Sequence, residues 1–489
     1  MKKLILNNKY FWIALILIFI ASRIATWFYP FDSDHWIFFY VGKFLAMEKT
    51  IYLTAWDHKP PMGFVINSFM YWAFGANIIW HRIFLTALTV IEIFIFYKFA
   101  KLTIKTEDKN NNNYLVRLVV LLFVLLSNLS QFTSSGNNTE NFAMIFLLLS
   151  YYVYFVGKNK TLHLLLSGFF ISIIILLKPT FALLALPILI DLFINRKNLW
   201  QLTKNIFVFS VPIIFHIGFW VLYFWQRNAL GEFWIAAVSF NSKYAQAAWQ
   251  NHVSQRNIFL AIISPFLLFY AIVLFPYFQN IKKSFQDTNI RFILPVALIA
   301  LALALMNGTF YPYYFLLAIF PLAILVANNI FINFIKNKKI LLGLLILCIV
   351  ANVAISYREF YNFLGGQTQA ENLENQEIAA YIKANSQSSD TIIAYTYGAT
   401  FYIISDRNSG SRYISASHLL LDERERFGYN MTDKFIADII KNKPKYCIFP
   451  KSKDSLYLQN KKATDFLLEN FTLEKEFDTY YLLKNNNTD

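Results

Sequence analysis

Apolar blocks of membrane-spanning length recur along this chain, and no other feature restricts its fold so severely. A helix needs about 20 apolar residues to cross ~30 Å of hydrocarbon, and with no water to satisfy the backbone a helix is what such a run becomes. The blocks cover residues 10–29, 78–100, 114–129, 142–156, 162–177, 181–194, 206–225, 258–278, 292–306, 313–335 and 340–355, so the sequence predicts eleven spans. Several are shorter than the usual ~17 to 25 residues. The first has the length of a span rather than the short core and small-residue cleavage site of a signal peptide, and reads as retained. With 57% hydrophobic and 15% charged residues over 489 positions, the chain falls in the membrane class.

The net charge of +15 does not point to nucleic acid, because the basic residues are scattered through short connections instead of gathered in a patch. One set of alternate connections holds Lys2, Lys3 and Lys9; Lys101, Lys105 and Lys109; Lys158 and Lys160; Arg196, Lys197 and Lys204; Lys282 and Lys283; and Lys336, Lys338 and Lys339. In the opposite set, residues 130–141 and 307–312 hold none. The positive-inside rule then puts the N-terminus in the cytosol and everything beyond the eleventh span outside. Cys348 lies in an apolar block and Cys447 in the polar tail, so a disulfide between them is not expected.

Residues 30–77 form the first large external segment. Trp36, Ile37, Tyr40, Val41, Phe44 and Leu45 recur at helical spacing, which predicts an amphipathic helix in the membrane interface; Pro60 and Pro61 introduce a second over 62–74. The segment 226–257 also reads as interfacial. After Tyr357 the composition turns polar, with strands predicted at 391–396, 446–449 and 480–483 and helices at 432–441 and 463–469. This gives a membrane domain over 1–356 and a small α/β domain over 357–489. No internal repeat is evident, which weighs against a symmetric transporter.

Chemistry concentrates outside the spans. Asp32, Asp34, Asp57, His58 and Lys59 crowd the first external segment. Ionisable groups close to hydrocarbon are costly, so such clusters line cavities or bind something. Asp32 also suits a helix N-cap, with Asp34 at the positive end of the same helix; the two carboxylates would share a metal only where the chain is still extended. His58 and Lys59 before two prolines read either as an interfacial anchor or as a stiffened phosphate site. Glu140 opens the fourth span, Lys178 precedes Pro179 between the fifth and sixth, and Arg23 inside the first span calls for an acidic partner among Asp32, Asp34 and Glu140.

These residues resemble a family. Asp34, an aromatic-rich helix, Tyr52 and the run from Asp57 through His58, Lys59, Pro60 and Pro61 to Met62 are similar to the first external loop of GT-C glycosyltransferases that use polyprenyl-phosphate sugars, among them aminoarabinose transferases of lipid A and protein O-mannosyltransferases. Arg23, Thr139 with Glu140, Lys178 with Pro179, and the stretch 310–314 followed by Pro321 add to the likeness, which covers residues 10–329. The chain departs from the family pattern at His35, where an acidic residue often follows Asp34, and at Tyr313, often a histidine.

The resemblance implies a membrane all-α GT-C fold of about eleven spans with interfacial helices and an extracytoplasmic α/β domain, in a bacterial inner membrane. It implies inverting transfer of a sugar from a polyprenyl-phosphate carrier to an extracytoplasmic lipid, glycan or protein, with membrane lipids as surroundings. Asp34 would serve as general base, with Glu140 or Asp32 orienting the acceptor or a cation. Lys59 would hold the phosphate first, followed by His58, Lys178, Arg256 and Arg227, and Asp57 and Tyr313 would line the substrate. The resemblance leaves metal use open: if a divalent cation, magnesium or manganese, takes part, Asp32 and Asp34 would hold it. The rival reading is a polytopic transporter or lipid-linked-sugar flippase.

Overall fold

A computed structural model of the protein describes residues 7–28, 31–105, 109–158, 160–251, 253–336, 339–364, 367–397 and 399–487. Lys2, Lys3 and Lys338 of the orientation argument, and Tyr29 and Pro30 at the end of the first span, lie outside the described residues. The chain divides into two compact units. One comprises Met1–Tyr29, Arg82–Trp220 and Ala248–Tyr361; the other comprises Pro30–His81, Val221–Ala247 and Asn362–Asp489.

Among the described residues six helices are long and apolar enough to cross a membrane: Ile78–Thr103, Thr139–Val156, Leu199–Gln226, Val253–Gln279, Thr288–Met306 and Lys339–Arg358. Shorter apolar stretches run over Asn111–Ser127, Thr161–Ile175, Pro179–Ile194 and Pro312–Val326, and a further helix spans Asn8–Phe28. The protein is an integral membrane protein, and each of the eleven apolar blocks falls on helix. Two blocks are broken. The block 181–194 starts as a 3-10 turn, Pro179–Ala185, before the helix Leu186–Ile194, because prolines 179 and 187 remove backbone donors at both starts. The block 313–335 stops at Val326 and resumes at Asn329–Lys336, where Asn328 Oδ1 accepts the Ile330 N–H at 2.9 Å and caps the second piece.

In the first unit, small residues set helix spacing, as expected where lipid supplies no hydrophobic drive between helices. A Cβ on Gly168 would stand 2.0 Å from the Phe209 carbonyl oxygen, so only glycine lets Thr161–Ile175 approach Leu199–Gln226 this closely. Ser150 and Ser167 hydroxyls meet at 2.9 Å. Buried polar ends find partners: Tyr151 Oη donates to the Leu184 carbonyl at 2.7 Å, tying down the 3-10 turn, and Asp191 accepts from Tyr154 Oη at 2.7 Å and Lys158 Nζ at 2.9 Å.

The second unit holds the first external segment and the polar tail. Helices Ser33–Ala46 and Pro61–Phe74 pack at close range, because Gly42 lies against Asn67 and Ser68 and Gly63 against the Phe38 ring. The interfacial reading of the first helix is corrected here: residues 35–43 are all buried, so it is enclosed in protein instead of resting one face on lipid. The second helix keeps exposed aromatics at Phe69 and Trp72. The segment expected to be interfacial at 226–257 is a chain of helices, Leu230–Trp234, a wider π-helical stretch Ile235–Phe240, and Asn241–Asn251.

The tail builds a five-stranded sheet in the order β2-β1-β3-β5-β4, with β1 Thr391–Ala394, β2 Asn408–Ser409, β3 Tyr446–Pro450, β4 Phe471–Glu476 and β5 Tyr480–Asn485. The first three strands are parallel; β5 runs antiparallel to both β3 and β4. β3 is buried along its whole length, as a central strand should be. The predicted strands and helices of the tail are present, and β2 and β4 are additions. The external segment joins this sheet region directly: Trp56 N–H donates to the Arg412 carbonyl at 2.7 Å, Ser409 N–H donates to Tyr40 Oη at 2.7 Å, and Lys43 Nζ donates to Asn408 Oδ1 at 3.2 Å.

Candidate functional site

Lys59 is the centre of a cluster in the second unit. Its Nζ lies 3.0 Å from Asp34 Oδ1 and 3.2 Å from Asp57 Oδ1, and its backbone N–H donates to the same Asp57 oxygen at 3.1 Å. Local structure holds it there. Pro60 and Pro61 start the helix Pro61–Phe74 directly after it, Tyr52 Oη donates to the Lys59 carbonyl at 2.8 Å, and the ammonium lies 5.2 Å from the centre of the Phe38 ring. Asp34 is presented from the first turn of Ser33–Ala46, and Asp32 caps that helix by accepting the His35 N–H at 2.8 Å.

The two carboxylates differ. The Asp57 side chain is fully buried, whereas that of Asp34 is 23% exposed. Burial alone would raise the Asp57 carboxyl, but the Lys59 ammonium above all opposes it, and the carboxyl is held at about 2. Burial likewise works against the Lys59 ammonium, yet Asp34 and Asp57 together lift it above its ordinary value, so it stays charged. Burial takes His58 down to about 3 and His418 to about 4, with Asp57 only partly opposing it; both imidazoles are neutral at physiological pH. Neutral rings agree with their geometry, His58 Nδ1 to His418 Nε2 at 3.0 Å, which needs one donor and one acceptor.

His418, from the helix Ala416–Arg424, belongs to this cluster and was not among the residues singled out in the sequence. It lies 360 residues from His58 along the chain, and no local spacing links them. Asn241 was missed too: its side-chain amide donates to the His58 carbonyl at 2.6 Å and to the carbonyls of Ala236 and Ala237, closing the π-helical stretch against the loop. Arg227, also of this unit, rests on the Tyr223 ring at 4.0 Å.

A second ion pair belongs to the first unit. Lys178 Nζ lies 2.9 Å from Glu140 Oε1, with Glu140 almost wholly buried in the first turn of Thr139–Val156. The ammonium also sits 4.0 Å from the centre of the Tyr314 ring and 5.3 Å from that of Phe181, while Tyr313 stacks on Tyr311 at 5.4 Å. Arg256 donates to the Trp249 carbonyl at 3.1 Å and lies over that ring. Arg23 has an acid near it, but not one of the three expected: Glu92 interacts with it electrostatically, its guanidinium meets the oxygens of Asn128 and Thr133 at 3.4 Å each, and the Glu140 carboxylate goes to Lys178.

Asp32 and Asp34 are each committed, one to the helix cap and one to Lys59, and Asp34 stands inside the first turn, not before it. Held this way, the pair does not fit a shared divalent ion.

No protein-family model matches the sequence, and no curated protein does. Solved structures do match in fold. ArnT from Cupriavidus metallidurans bound to undecaprenyl phosphate aligns over 99% of both chains with a TM-score of 0.55 at 10% identity. The Archaeoglobus fulgidus oligosaccharyltransferase in its apo form aligns over 99% of this chain and 75% of its own with a TM-score of 0.55 at 9% identity. AglB from the same organism, in complex with an inhibitory peptide and a dolichol-phosphate, gives a TM-score of 0.51 at 9% identity, covering 97% of this chain and 74% of its own. The fold is thus shared with ArnT and with the archaeal oligosaccharyltransferase.

Proposed function

We propose that the chain is an inverting glycosyltransferase that moves a sugar from a polyprenyl-phosphate carrier to an acceptor on the extracytoplasmic side of the membrane, with the N-terminus cytosolic and the α/β domain outside. The observation that carries this reading is the Asp34–Lys59 pair, a partly exposed carboxylate on a cation whose other partner is fully buried. A polyprenyl phosphate brings an anion that competes for Lys59. As the phosphate takes the ammonium, Asp34 is released while Asp57 keeps Lys59 in place.

The freed Asp34 then accepts the proton of the acceptor hydroxyl or amine as its oxygen or nitrogen bonds the anomeric carbon. The bond from that carbon to the phosphate oxygen breaks on the opposite face, which inverts the configuration, and the departing negative charge stays on the phosphate beside Lys59. Lysine suits the task because its charge persists at neutral pH. Glu140 and Lys178 form a second pair of the same type within the first unit. The fold shared with ArnT, whose structure holds undecaprenyl phosphate, supports the class of carrier. No observation favours the transporter or flippase alternative.

The test is sugar transfer from a polyprenyl-phosphate donor by purified protein in lipid. Asp34→Asn should lower the rate by about 10²–10⁴-fold, the usual weight of a general base, with unchanged elution on size exclusion. Full activity in that variant would remove Asp34 from the chemistry.

A further inference from the structure

Among the described residues, the groups that converge closely enough to share a metal are Asp57, His58 and His418. Asp57 divides its oxygens. Oδ1 receives both bonds from Lys59, while Oδ2 is buried with no hydrogen-bond partner. A buried carboxylate oxygen left without a donor costs free energy, and such an oxygen in a native fold calls for a water or an ion. It faces two ring nitrogens, at 3.7 Å from His58 Nδ1 and 3.5 Å from His418 Nε2, which are themselves 3.0 Å apart. The point equidistant from these three atoms in their own plane lies about 2.0 Å from each, and one about 0.7 Å out of that plane, where a tetrahedral ion stands, lies about 2.1 Å from each, within the bond lengths of zinc to imidazole nitrogen and carboxylate oxygen.

We infer that Asp57, His58 and His418 form a binding site for one zinc-class divalent ion, three protein ligands on a tetrahedron whose fourth corner is open. Two imidazoles and one carboxylate suit zinc rather than magnesium or calcium, which prefer all-oxygen shells. The His58 side chain is 25% exposed, so the open corner is reached from its side. Binding replaces the hydrogen bond between the rings, turning both lone pairs on the ion. A proton shift within one imidazole accomplishes this without changing its charge.

The ligand His418 finds no partner for Nδ1; packing orients its ring instead, edge-on to Trp56 at 5.0 Å and to Phe240 at 5.7 Å. The ion would pin the loop that carries Lys59 to the helix Ala416–Arg424 of the tail, leaving the Lys59–Asp57 Oδ1 contact undisturbed. It would also add positive charge beside the proposed phosphate position. This site stands on coordination geometry alone, so its metal content is independent of whether the transfer reaction is right.

Full-length protein purified in detergent, stripped with a chelator, incubated with zinc and desalted tests this by elemental analysis. Wild type should retain about one zinc per chain, and cobalt in its place should give the visible bands of a four-coordinate ion. His418→Asn and His58→Asn, checked for monodisperse elution, should lose the ion, and Asp34→Asn should keep it. Zinc should raise the melting temperature of wild type and not that of His418→Asn. Wild type that retains no zinc, or a folded His418→Asn that retains as much as wild type, would overturn the assignment.

Discussion

Lys59 sits between two carboxylates of unequal exposure, and that inequality sets what substitutions there do. Lys59→Met strands the fully buried Asp57 charge and should destabilise the protein by about 3–5 kcal/mol, the cost of removing one partner of a buried pair. Asp34→Asn removes a partly exposed partner and should cost about 1 kcal/mol or less. Thermal unfolding of both variants in the same detergent measures the difference, and equal losses would contradict the asymmetry. The cluster was half legible in sequence. Asp57, His58, Lys59 and Pro60 are consecutive, so their shared chemistry is visible in one window. His418 is a lone histidine in a polar tail, joined to them only by tertiary structure. The partner of Arg23 was misjudged only in identity: the acid that acts on it is Glu92 of the helix Ile78–Thr103, with the oxygens of Asn128 and Thr133 beside the guanidinium.

At the scale of elements, the site depends on how closely Ser33–Ala46 and Pro61–Phe74 approach, since they carry Asp34 and stiffen Lys59. A Cβ on Gly42 would meet Asn67 C and Ser68 N at 2.8 Å, backbone atoms that cannot rotate away. One on Gly63 would strike the Phe38 ring at 2.2 Å, which can. Gly42→Ala should therefore cost about 1–3 kcal/mol by overpacking and loosen the Asp34–Lys59 pair, with Gly63→Ala costing less; melting temperatures of the two variants check the order. The apolar periodicity of the first of these helices was read correctly as helix and incorrectly as interfacial. A pattern of buried positions does not reveal whether lipid or the tail of the same chain covers them. The change from 3-10 turn to α-helix at Leu186 and the break after Val326 escaped the hydropathy pattern because apolar side chains continue across them while the backbone hydrogen bonding changes.

For the whole molecule, hydropathy made the membrane class and the helical character plain, because the length of an apolar run is a direct physical requirement of the bilayer. The joining of the external segment to the tail was not legible, since it rests on contacts such as Trp56 with Arg412 that have no sequence signature. The proposed orientation makes a separate prediction. Cys348 and Cys447 are buried, so Leu456→Cys, at a site 55% exposed, should be the position labelled by a membrane-impermeant maleimide in intact spheroplasts. Labelling only after permeabilisation would place the tail in the cytosol.

The exchange of Asp34 for a lipid phosphate at Lys59 is tested most directly by equilibrium binding of undecaprenyl phosphate to the purified protein in nanodiscs. Removing the competing carboxylate in Asp34→Asn should tighten binding by up to about tenfold, the equivalent of about 1.4 kcal/mol, even as it slows transfer. Binding that is weaker than wild type, or unchanged, in Asp34→Asn would contradict the account.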